Sequence, residues 1–505
     1  MSGYDYIIVG GGTAGCVLAA RLSQDPAARV LLLEAGGTPA GDQFADPSAW
    51  PRLVGSGADW GEQTVPQADA GPLPYPRGRV LGGSGSVNAM AHVRGHRSVY
   101  DGWAAAGAPG WDYESLLPYF NRAERRRAGA SGAGRGETGP VSVGPVPPQD
   151  RHPVALALAD ALAAAGYPQA DDLSGTWMGV GWADLAITAS GRRSGPFTAY
   201  LQPAMSRHPG LEVRTGCTVI SLIIRHGRCT GVSYLHGAFA HEARADGEVI
   251  VCAGAIGSPR LLLLSGIGPA DELSQLGIRL VADLPGVGRN LHDHPTVKAT
   301  YQTATTLPPS IHNHGEVYAA IPGPYAGDAP DLQVFPLLTG LAAPGRRAPS
   351  PGFALVAAAM TPDSRGTVRL ASADPLAPPL IDPGLLRDGR DLERLEDALS
   401  IARRAALHPA FTRLGCTEAA PGPSSWDVAS VRAYTRATVS SYNHPAGTCR
   451  MGTGPGAVTD PELRVHGITG LRVADASVMP LIPNSPPHAT VLAIAEKAAG
   501  LITQS

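Results

Sequence analysis

The feature that most constrains this chain is a glycine turn near its start. Tyr4 to Val9 is aromatic and β-branched and reads as a buried strand, and residues 13–24 read as a helix. Between them stand Gly10, Gly12 and Gly15 in the spacing GxGxxG. A second apolar run, Ala28 to Glu34, predicts a parallel neighbour for the first strand. In that setting Gly10 permits the tight turn, Gly12 lets a pyrophosphate approach the backbone, and Gly15 lets helix and strand pack closely. Thr13 and Ala14 open the helix, so their amides and the helix dipole would face the phosphates. Glu34, followed by Ala35, stands 19 residues after Gly15, where a carboxylate can hold the adenosine ribose hydroxyls. An acid there argues against a 2′-phosphorylated ligand. The fingerprint does not choose between FAD and NAD.

The remaining length asks for more than this unit. With 505 residues, 44 % hydrophobic and 16 % charged, the chain is globular and large enough for two or more cores. A net charge of −3 gives no reason to expect nucleic acid or an anionic membrane as partner. Six scattered cysteines form no CxxC pair, so neither a metal site nor a disulfide framework is expected. Residues 7–20 imitate the apolar core of a signal peptide, but Asp5 precedes them and glycines interrupt them. No run reaches the roughly 18 apolar residues of a membrane span, so the expectation is a soluble cytoplasmic protein.

Nucleotide-type strands recur near residues 5, 250 and 473, which predicts an α/β domain gathered from 1–100, 206–295 and 436–505. Residues 101–205 and 296–435 would then form a second unit over its mouth. Residues 296–360 read as irregular and proline-rich, Asp391 to Ala406 as an amphipathic helix, and Ala489 to Ile502 as a final helix.

Five further segments carry a resemblance. They are Arg77 to Met90 (RGRVLGGSGSVNAM), Gly254 to Pro269, Leu284 to Pro295 (LPGVGRNLHDHP), and Asn443 to Gly452 (NHPAGTCRMG) with Ala474 to Pro480. Together with the glycine turn and in this order, they resemble the glucose–methanol–choline (GMC) oxidoreductases over nearly the full length. The resemblance implies a mixed α/β fold: a Rossmann-like FAD domain and a substrate domain on an antiparallel sheet flanked by helices. It implies FAD lined by Gly82, Gly83, Asn88, Ala89 and Met90, with Val219 at the adenine and Asp475 and Ala476 near the ribityl phosphate. Trp60, and Ala489 with Thr490 at the start of the last helix, are carried over as further cofactor contacts. Some members attach FAD through a histidine where this chain has Val87, so non-covalent FAD is expected; His92 stands at a different offset.

Oxidising an alcohol removes a hydroxyl proton and a carbon-bound hydride. A neutral imidazole can take the proton, and flavin takes the hydride. Among fifteen histidines the resemblance selects His444, within NHPAGTCRMG, and His488, at the second catalytic place. His292 and His294 imitate a metal pair, but a structural role is expected for both, as for His466. The expected activity is oxidation of a small-molecule alcohol, with O₂ or another acceptor reoxidising the flavin, in a monomer or small homo-oligomer. The alternatives are a hydroxynitrile-lyase-type FAD protein without net redox and a non-catalytic flavin binder. Nothing in 101–205 or 296–435 names the alcohol.

Overall fold

A computed structural model describes residues 3–127, 134–338 and 349–504. The three distant strand segments lie side by side in one parallel layer. Its order is Leu211–Arg214, Val30–Leu33, Tyr4–Val9, Phe239–Val251 and Leu471–Val473. Ile7, Ile8, Val30, Leu31, Val249 and Ile250 are fully buried, which is why these strands read as continuous apolar runs. Helix Thr13–Leu22 and the last helix, His488–Thr503, pack against each other beside this layer. Phe239–Val251 serves two roles along its length. Its first half pairs antiparallel with Arg228–His236, and from Ala245 onward it runs parallel to Tyr4–Val9.

The second layer is antiparallel throughout. Its order is Cys416–Ala420, Pro295–Thr303, Gly352–Ala359, Leu332–Leu337, Val317–Ile321 and Gly179–Trp182. Side chains alternate between its faces. Val297, Ala299 and Tyr301 are buried in a core shared with helices Pro153–Ala164 and Gly389–Ala405. Thr296 and Lys298, between them, point to the opposite face. Residues 296–360, expected to be irregular, therefore hold four strands among the described residues. Both faces are covered, so polar alternation is weak, and Pro336 lies within one strand.

The 101–205 segment, expected wholly in the second unit, divides between the two cores. Trp103, Leu116 and Phe120, on helices Arg97–Ala105 and Tyr113–Ala123, join the core of the parallel layer. Helix Tyr113–Ala123 turns its apolar stripe onto the last helix, whereas Pro153–Ala164 belongs to the other core. Among the described residues, no helix is long and apolar enough to cross a membrane.

Candidate active site

A cavity of about 710 Å³ lies between the ends of the parallel strands and the inner face of the antiparallel sheet. On the parallel side the glycines explain its shape. Gly10 has φ +100°, and a Cβ there would meet the Cys252 carbonyl at 2.6 Å. A Cβ at Gly15 would lie 1.9 Å from the Gly10 carbonyl, so this glycine is fixed by helix–strand packing. Gly12 differs: its φ is −72°, and nothing in the protein comes nearer than 3.9 Å to a Cβ there. No internal contact demands glycine at that position, and the open space belongs to the cavity. A Cβ on Gly83 would come within 2.7 Å of the Gly12 Cα, while the Gly82 N–H donates to the Gly11 carbonyl at 2.7 Å. The two loops clasp each other. Helix Thr13–Leu22 starts without a side-chain cap or an acid in its first turn, which leaves its positive end open to an anion.

The Glu34 carboxylate accepts the N–H groups of Gly11 at 2.8 Å and Gly36 at 2.7 Å. Burial pushes its pKa up, and those amides oppose the shift. Asp475 is used inside the protein. It accepts the Ser477 N–H at 2.8 Å, the Ser258 hydroxyl at 2.5 Å and the Gly254 N–H at 2.8 Å. Its carboxylate thereby shapes the cavity floor. Ala35, Trp60, Val87, Ala89, Val219 and Ala476 also line the cavity, and Trp60 lies beneath the guanidinium groups of Arg77 and Arg79. Asn88 accepts the Met90 N–H at 3.0 Å and an Arg193 N–H at 2.8 Å.

Four residues expected at the cofactor do not line the cavity. Gly15 and Gly82 act through the packing just described. Ala489 and Thr490 turn away because a helix advances about 100° per residue: His488 and Val491 face the cavity, while the two between them are buried in the core. The Thr490 hydroxyl instead lies 2.8 Å from the Tyr100 hydroxyl.

Both expected catalytic histidines line the cavity, in unlike settings. His444 is held on three sides. Its N–H donates to Asp293 at 3.0 Å, its Nδ1 lies 2.9 Å from Nδ1 of His294, and its ring stacks on Tyr442 at 4.2 Å. Burial, and then the neighbouring His294 ring, hold its pKa well below the usual imidazole range. Burial takes His294 itself down to about 3, against the pull of the Met360 and Pro483 carbonyls. In the tautomer that donates from Nδ1 of His444 to Nδ1 of His294, Nε2 of His444 is left as a free base.

His488 has no hydrogen-bond partner on either ring nitrogen among the described residues. Burial lowers its pKa to about 3, with smaller pushes from His92 and Arg193. A buried imidazole with two unmet nitrogens is suited to a polar ligand.

The other histidines are accounted for elsewhere. His92 points away from the cavity, with Nε2 3.1 Å from Glu124, and His466 lies 3.2 Å from the Gly452 carbonyl. Of His292 and His294, the second reaches His444, and no group of three or more metal-binding side chains occurs among the described residues. The sequence reading missed Asp293, Tyr442 and Lys298. For Lys298 a signal existed: it is one of two lysines in the chain, set in the apolar strand PTVKATYQT.

Comparison with known proteins gives the family and the fold. The family model described as GMC oxidoreductase matches residues 4–296 in its N-terminal part and 362–495 in its C-terminal part. The chain is 38 % identical to mitochondrial choline dehydrogenase of Homo sapiens, over 99 % of this chain and 89 % of that protein. It is 36 % identical to choline oxidase of Arthrobacter globiformis, over 99 % and 94 %. The structure of pyridoxine 4-oxidase from Mesorbium loti superposes with a TM-score of 0.92 at 35 % identity, covering 99 % of both chains.

Proposed function

This chain belongs to the GMC oxidoreductase family, and we propose that His444 is the base in its oxidation of an alcohol. It is an FAD-dependent alcohol oxidoreductase of that family. The observation that carries the assignment to His444 is the Nδ1 to Nδ1 contact with His294 at 2.9 Å. That contact fixes the ring and turns an unprotonated Nε2 to the cavity.

The residues present fit the cofactor. Gly12 leaves open the space a phosphate needs, the uncapped helix start complements its charge, and Glu34 faces the same cavity for the ribose. When bound, FAD supplies the acceptor for the substrate hydride. The chain's own residues do the rest. Nε2 of His444 takes the hydroxyl proton, His294 holds the tautomer, and a ring nitrogen of His488 donates to the substrate oxygen as charge develops on it. Tyr318, Phe335 and Val356 cover the substrate side and exclude water. Val87 occupies the place of the linking histidine, which supports non-covalent FAD; flavin released on acid precipitation is the expected outcome. The relatives are named for choline and pyridoxine, both alcohols, and none of those named is a lyase. Reoxidation is by O₂ or a second electron carrier, and hydrogen peroxide formed in air identifies the first.

The test is anaerobic flavin bleaching by a panel of alcohols. His444→Ala should retain FAD and bleach about 10²- to 10⁴-fold more slowly. An undiminished rate would remove His444 as the base.

A further inference from the structure

We propose that Lys298 fits the cavity for an alcohol that also carries a carboxylate, a conclusion that rests on the alcohol-oxidation reading above. The antiparallel register places Lys298 opposite Val356, and Val356 opposite Phe335. One row of the cavity wall therefore runs from an ammonium across two apolar side chains. Tyr318 and Leu337 extend the apolar area, and Thr296 adds a hydroxyl beside the lysine.

Among the described residues the Lys298 ammonium has a single polar contact, the Ser440 hydroxyl at 3.2 Å. Burial lowers its pKa to about 8, with no carboxylate opposing the shift, so the group is still mostly charged at neutral pH. The acids that line the cavity are Glu34, Glu62 and Asp475. Glu34 and Asp475 are bound into the cofactor side, and Glu62 pairs with Arg77. The segments outside the described residues, 1–2, 128–133, 339–348 and 505, contain no Asp or Glu that could supply the missing charge.

A half-buried ammonium with no counter-ion among the described residues is costly, and here its open side is the ligand space. An anionic substrate group would meet that charge, whereas a quaternary ammonium would be repelled. One cation in an apolar wall suits a monoanion better than a phosphate dianion. Lys298 follows His294 by four residues, about 13 Å of extended chain. With Lys298 reaching inward and His294 backing His444, the acid and the reacting hydroxyl would be separated by a body about the size of an aromatic ring.

The FAD-loaded enzyme should be compared on 4-(hydroxymethyl)benzoate, 4-methylbenzyl alcohol and choline, by anaerobic flavin reduction. The carboxylate should be at least about tenfold more efficient than its neutral isostere. Lys298→Met should erase that ratio, and Lys298→Arg should restore it. A ratio that persists in Lys298→Met, or choline outperforming the carboxylate, would overturn the proposal. Benzoate binding, followed by perturbation of the flavin spectrum, supplies a readout independent of turnover. Tighter binding that depends on Lys298, with no alcohol reducing the flavin, would sink the oxidation reading and keep the anion site. Equal benzoate affinity in wild type and Lys298→Met would sink the anion site whatever the reduction data show.

Discussion

The two walls of the cavity are built on opposite principles. The parallel side lines the cavity with backbone: glycines at 10, 12 and 83, an uncapped helix start, and carboxylates already engaged with protein amides. The antiparallel side meets it with side chains, Lys298, Phe335, Val356 and Tyr318, projecting from a regular sheet. A wall made of backbone tolerates little change because its contacts are set by chain geometry. A wall made of side chains can change its ligand by single substitutions without disturbing the sheet beneath. The contrast predicts a cofactor fixed by the fold and a substrate selected by a few residues laid over it.

The largest expected effect separates two glycines that a motif treats alike. Gly15→Val should give no stable protein, since even its Cβ would lie 1.9 Å from a backbone carbonyl. Gly12→Val should fold, with a stability loss of about 1 kcal/mol at this cap position, yet hold flavin at a small fraction of wild type. Thermal denaturation and the ratio of flavin to protein absorbance read the two effects separately. If Gly12→Val binds FAD normally, the backbone wall does not cradle the pyrophosphate.

Next in size is the pH response of the base. Burial and His294 hold His444 well below the usual 6.5, so its neutral form persists at every pH above that lowered value. The rate of flavin reduction should therefore stay level from about pH 7.5 down to about pH 5.5, where an ordinary imidazole would already be protonated. A fall centred near 6.5 would mean that the ring titrates as if exposed.

The smallest effect belongs to Thr490. Its hydroxyl is spent on Tyr100, so Thr490→Val should cost about 1 kcal/mol of stability and leave flavin content and reduction rate unchanged. Loss of flavin without loss of stability would return Thr490 to the cofactor site.

The legible parts of the molecule share a physical cause. Gly10 and Gly15 could be read because their reasons are local: a positive φ and a packing distance within one strand–turn–helix. His444 and His488 were found through motif resemblance, and the cavity includes both. What escaped reading depends on pairing between distant segments. Asp293 matters because Ser441 and His444 fold back onto it, and Tyr442 because it lies flat between His444 and Phe335. The strands within 296–360 were missed because burial on both faces removes the polar alternation that marks a strand.

By itself, then, the sequence determined the glycine turn, the second-strand acid, the recurrence of nucleotide-type strands and the two histidines, since each is written in a few neighbouring residues. Only the tertiary structure decided that Nδ1 of His444 meets His294, that Thr490 faces the core, and that Lys298 stands in a cavity without a counter-ion among the described residues. Those outcomes depend on which strand lies beside which and on where water is shut out, and neither is a property of a short stretch of chain.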